Sequence, residues 1–196
     1  MKKILVTSFF IIALFSNAQV ESLETRKGNR EVGKYYKDIN NVLDQYVGTW
    51  IHNEGNIYLK ITFAKAISYD EDQFTEDILY GGMEYKVNNV TIINTFNDFN
   101  TNRPDKWYHD IVGNTILTQG DPGCRDCSVN EKRLDMSFID RIGNATATIF
   151  LQKIIVNGQE AIKLFGFYPI TARADTDPQK NIQLPLGDIN YTLIKQ

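Results

Sequence analysis

The chain is short of the residues on which most site chemistry depends. Its 196 residues include only two histidines and two cysteines. His52 and His109 are far apart in sequence, which leaves few places for a nucleophile–base pair. Together with Cys124 and Cys127 they show no zinc-ligand spacing. Basic runs are missing and the formal charge is −3, which excludes a surface built to follow nucleic-acid phosphates. No apolar run approaches the roughly 20 residues that span a bilayer. A Gly-x-Ser-x-Gly elbow, a paired-histidine helix and a phosphate loop are also absent. Strand–helix–strand alternation is lacking, which excludes a doubly wound parallel sheet.

What is present begins with an export signal. Met1-Lys2-Lys3 is a basic start, and Ile4 to Phe15 is apolar apart from Thr7 and Ser8. Ser16-Asn17-Ala18 then places small residues where a signal peptidase reads, which predicts cleavage between Ala18 and Gln19. No cysteine follows the cleavage site to carry a lipid. The expected destination is the periplasm or the exterior. The chain therefore divides into a signal over 1–18, a polar flexible arm over 19–31 and one domain over 32–196. A domain of that size buries roughly 70% of its unfolded surface, enough for a real core.

Within that domain, Tyr36, Ile39, Leu43 and Tyr46 fall at helical spacing and predict a short helix from about Val32 to Leu43. After Gly48 the period becomes two. Ile57, Leu59, Ile61 and Phe63 alternate with polar residues and predict a strand with one apolar face. Further runs follow at 78–87, 90–99, 107–112, 115–118, 133–140, 145–156, 160–168 and 189–194. Asn88-Asn89, Gly113-Asn114 and Asn157-Gly158 read as tight hairpin turns between them. The segment 171–186 reads as an irregular loop. Short connections require antiparallel neighbours. The expected fold is all-β: an antiparallel up-and-down barrel of about eight or nine strands, closed because closure removes exposed edges.

A helix followed by Gly48-Thr49-Trp50 and an alternating strand resembles the opening of the lipocalin and wider calycin group. The whole chain also resembles families of exported bacterial proteins that share this opening and whose activity is not known. The resemblance implies a lipocalin-like barrel in which Trp50 plugs one end beneath the lumen. It does not reach the second family motif, Thr-Asp-Tyr, because Thr176-Asp177 is followed by Pro178. No arginine stands where the group covers its tryptophan; Lys195 is the nearest base.

Candidate sites follow from this frame. Trp50, Leu59, Phe63, Phe96, Trp107, Phe138 and Leu151 are the expected lining of a lumen that binds a small apolar or amphipathic molecule. A filled core, serving as a structural or protein-interaction module, is the alternative. Cys124 and Cys127, flanked by proline, glycine and aspartate, predict a local disulfide in an exported protein. The acidic stretch Asp70-Glu71-Asp72 has Phe74 and Thr75 where a calcium loop needs an oxygen ligand and glycine, so it reads as solvated. Trp107-Tyr108-His109-Asp110 is a candidate surface aromatic patch. Asp140 is the one charge the alternation points inward. The sequence nominates no catalytic residue, cofactor, metal or nucleic-acid partner.

Overall fold

Alternation in the sequence becomes alternation in burial. Leu59, Ile61 and Phe63 are buried, and Tyr58, Lys60 and Thr62 between them are not. The computed structural model describes residues 19–25, 29–101, 105–141, 143, 145–170, 183–185 and 190–196. The expected signal over 1–18 and most of the loop over 171–186 lie outside them.

Eight strands form a closed antiparallel barrel. In chain order they are β3 (Gly48–Glu54), β4 (Ile57–Asp70), β5 (Thr75–Val87), β7 (Ile111–Leu117), β8 (Arg133–Asp140), β9 (Ala145–Val156), β10 (Gln159–Ile170) and β11 (Tyr191–Lys195). Each pairs with the next, and β11 closes on β3 through Ile194 opposite Ile51 and Lys195 opposite Trp50. Three additional strands extend the sheet from β5, two of them paired with it directly. β1 (Gln19–Ser22) pairs in parallel with β2 (Lys34–Lys37), β2 pairs with the start of β5, and β6 (Val90–Asn94) pairs with its end.

Two turns form as the sequence predicts. Asn88 and Asn89 both adopt positive φ, at 51° and 62°, and Asn157-Gly158 does the same between β9 and β10. Asparagine and glycine tolerate this region, so these pairs give the strand twist a hairpin needs.

Three local expectations are corrected. The helix expected over 32–43 is replaced by β2 and a 3-10 turn at Leu43–Tyr46. Gly33 and Asn41 take positive φ, which interrupts any helix there. Asp38 then accepts hydrogen bonds from the backbone N–H groups of Val42 and Leu43, both at 2.8 Å, and organises the turn instead. The run expected as a strand over 90–99 stops at Asn94 and continues as α1 (Phe96–Asn100). There the Asn94 side chain accepts from the Phe96 N–H, while Met83 N–H donates to Thr95 Oγ1. Gly113-Asn114 is a bulge inside β7 rather than a turn. A Cβ on Gly113 would stand 2.9 Å from the Met136 Cα, so glycine is there to let β8 pass.

The segment expected as a flexible arm carries β1 and a 3-10 turn at Leu23–Thr25, with Leu23 buried in the core.

Candidate functional site

The floor of the barrel is built around Trp50. Its position on β3, two residues after Gly48, turns the indole inward, where it is fully buried. The indole N–H donates to the Tyr46 carbonyl at 2.7 Å, and the Tyr46 hydroxyl donates to the Leu151 carbonyl at 3.2 Å. The 3-10 turn is thereby bonded to β3 and β9 across the barrel end. Burial pushes the Tyr46 phenol above its ordinary value. Lys153 and Lys195 bring their ammonium groups to 4.4 and 5.4 Å from the Trp50 ring centre. Both also pair with Glu160, at 2.9 and 2.5 Å. Two cations over a buried indole face make a cation–π floor.

Above the floor, Leu59, Phe63, Phe138 and Leu151 join Trp50 in one contiguous core, and none of the five is more than 2% exposed. A cavity able to hold water would leave accessible surface on the side chains around it. These side chains have almost none, so the barrel is filled where they meet. Higher in the lumen Tyr85 and Tyr191 are hydrogen-bonded to each other through their hydroxyls. The Tyr191 hydroxyl also donates to the Pro185 carbonyl at 3.0 Å. Burial raises both phenols, so they remain neutral donors. His52 meets Tyr191 edge-on at 5.3 Å. Asp140 is buried at the rim, where it accepts from the backbone N–H groups of Gly143 at 2.8 Å and Gln183 at 2.5 Å. The inward charge therefore ties down the strand end and a following segment.

Phe96 and Trp107 lie elsewhere, a correction to the expected lining. Phe96 starts α1 on the outer face of β5, where it meets Phe99 edge-on and takes Lys60 over its ring at 4.9 Å. α1 fits there because Gly82 has no side chain; a Cβ would sit 2.6 Å from the Phe99 Cβ. Trp107 belongs to a 3-10 turn at Lys106–Tyr108, and its indole N–H donates to Glu71. Their strand placement failed because the apolar residues in these runs serve an outer cover. His109 belongs to the same cover, buried and stacked on Tyr80 at 4.7 Å.

The outer wall carries a second built feature. Cys124 and Cys127 form a disulfide. Both are buried against Leu117 and Phe150 in a small cluster separate from the lumen. The loop they staple is fastened to the barrel by Arg133, whose guanidinium donates to the Gly123 carbonyl, to both oxygens of Asp126 and to Glu131. Between loop and wall lies a groove of about 440 Å³ lined by Pro122, Gly123, Arg125, Asp135, Thr148 and Phe150. Asp135 and Phe150 are direct cross-strand partners, so both project outward side by side. Among the described residues the Asp135 carboxyl makes no hydrogen bond or ion pair, and burial holds its proton above the ordinary carboxylate range.

A family model matches residues 1–196 in full. The chain belongs to DUF6705, a family of unknown function. No curated protein and no solved structure matches it significantly. For this DUF6705 member the barrel and the disulfide are therefore the firm points from which function is argued. No helix among the described residues is long and apolar enough to cross a membrane.

Sequence reasoning did not find the Tyr85–Tyr191 pair or the Asp135 groove. Each joins residues far apart in sequence: strand register sets Asp135 beside Phe150, and closure of the barrel brings Tyr85 on β5 to Tyr191 on β11. The available signal for Asp135 was its place between Leu134 and Met136, which turns it to the outer face.

Proposed function

We propose that this protein is an exported, non-catalytic binding module in which a filled, lipocalin-like barrel is the scaffold and the outer wall does the binding. The observation that supports this reading is the interior: among the described residues the inward Trp50, Leu59, Phe63, Phe138 and Leu151 are at most 2% exposed. The indole floor at Gly48-Thr49-Trp50, with Lys195 over the ring, supports the lipocalin-like likeness. The disulfide and the basic-then-apolar start of the sequence support export.

The Tyr85–Tyr191 pair favours a second reading, in which the upper lumen opens to take a small amphipathic molecule. Native mass spectrometry of protein recovered after secretion separates the two. The scaffold reading expects a chain beginning at Gln19, two hydrogens below its reduced mass and free of cargo. A retained apolar molecule, lost on replacing Leu59 or Phe138 with a larger residue, would establish the lumen as the site. A chain that still carries residues 1–18 would refute export by a cleaved signal.

A further inference from the structure

We infer that the groove beneath the disulfide loop is a binding site for small zwitterions of the amino-acid and short-peptide class, with the ammonium end on Asp135 and the carboxylate end on Arg125. This rests on the outer-wall reading above and names its ligand.

Three observations converge. First, the groove is a formed space. The disulfide and the Arg133 fan of hydrogen bonds hold the loop on one side, and β8 and β9 make the other. Gly123 lies against the Phe150 ring so closely that a Cβ would come within 2.6 Å, which fixes the separation of loop and wall. Second, the floor holds a carboxyl without a described partner. A desolvated acid in that state is unfavourable in the folded protein, and it is satisfied by an incoming N–H donor or cation. Arg133, two residues away on the same face, is committed to Asp126 and Glu131 and forms no ion pair with Asp135. Third, the groove is lined by charges of both signs. Arg125 is exposed and makes no described ion pair. A plain amine would meet an opposing cation there, and a plain carboxylate would meet an opposing acid. A zwitterion satisfies both ends, and the exposed Pro122 ring at the groove receives its apolar body. The Thr148 hydroxyl adds a neutral donor and acceptor.

The volume agrees with this class. About 440 Å³ lies within the range of small-molecule sites and exceeds one amino acid. A dipeptide carries both charges that the groove lining offers partners for, one at each end.

The test uses the full secreted chain, with nuclear magnetic resonance titration and calorimetry. The probes are leucyl-leucine, its N-acetylated form and its C-amidated form at millimolar concentration. Leucyl-leucine is expected to shift the resonances of Gly123, Asp135, Thr148 and Phe150. N-acetylation removes the ammonium and is expected to weaken binding roughly tenfold or more, the scale of a lost charge-assisted hydrogen bond. Amidation is expected to weaken it less, because Arg125 is the more hydrated end. Asp135→Asn is expected to abolish the preference for the free amine while the melting temperature holds or rises, since it removes a half-buried carboxyl without a described partner. Arg125→Ala is expected to erase the difference between leucyl-leucine and its amide.

Equal binding of the acetylated and free dipeptides would overturn the proposal, as would no binding by any probe. A lowered melting temperature in Asp135→Asn would assign that residue to stability instead. None of these outcomes bears on whether the lumen is filled, which native mass spectrometry reads separately.

Discussion

The Trp50 indole donates its one hydrogen to the Tyr46 carbonyl at 2.7 Å, so the residue that opens the barrel is bonded to the turn that closes its floor. Trp50→Phe keeps most of the apolar bulk but leaves that buried carbonyl without its donor and a void beside Lys153. The expected loss is about 2–4 kcal/mol of unfolding free energy, combining an unsatisfied acceptor with a small cavity. Denaturant titration checks it. A change below the error of that method would refute the floor role.

Glu160 gives a prediction with a definite sign. The hydrogen bonds from Lys195 and then Lys153 hold its carboxyl down at about 2, against an ordinary 4.5. A lowered folded value means that the unfolded chain binds the proton more readily. The stabilisation is therefore present above 4.5 and is lost as the pH falls through about 2. Carbon-detected titration of the Glu160 carboxyl should show that midpoint, and Lys195→Ala should raise it.

The opposite sign is expected at Asp110 and Asp135. Burial raises both, with Arg141 partly offsetting the effect at Asp110. A raised acid destabilises the fold above its folded value and ceases to do so once protonated. Asp135→Asn should accordingly flatten part of the dependence of melting temperature on pH between neutrality and the ordinary carboxylate range. An unchanged profile would count against the desolvated setting of this residue.

Gly82 is a close-packing position on the outer wall. Gly82→Ala would drive a methyl group to 2.6 Å from the Phe99 Cβ, so α1 must lift from β5. Overpacking of this kind destabilises by about 1–3 kcal/mol. Adding Phe99→Gly removes the opposing Cβ and should recover part of that loss, and a double-mutant cycle reads the coupling directly. Additive effects would show that α1 does not rest on Gly82.

The disulfide should act locally. Replacing both Cys124 and Cys127 with serine releases a small ring, for which chain entropy gives roughly 2 kcal/mol. Hydrogen exchange should quicken across residues 118–132 and stay slow in β8 and β9, because the barrel wall has its own ladder. Faster exchange throughout the barrel would show that the staple holds the whole fold.

Much of the wall was readable in the sequence because a half-buried strand writes its own period. The runs 133–140 and 145–156 match β8 and β9 end to end, and Asn157-Gly158 marks their continuation into β10. The cover was less readable. Tyr36, Leu43 and Tyr46 sit at helical spacing yet are buried from a strand and a 3-10 turn, because burial against a barrel end imposes no single period. Gly113-Asn114 carries the residues of a turn and serves as a bulge, since what demands glycine there is a neighbouring strand, unseen from local sequence. The candidate lining shows the same division: Trp50, Leu59, Phe63, Phe138 and Leu151 come from strands of clear alternation, whereas Phe96 and Trp107 come from segments where it breaks down.

The closing seam has a consequence for the order of folding. β11 is the strand that joins β10 to β3, and it is made of residues 191–195. Until those residues leave the ribosome, the growing chain is an open sheet with the backbone of β3 bare along one edge. Closure then links Trp50 to Lys195 across nearly the whole domain, a contact of the most distant kind in sequence, and such contacts form slowly. The finished barrel can thus appear only after residues 191–195 have been made, which leaves an interval in which the chain is folded in part and still unclosed.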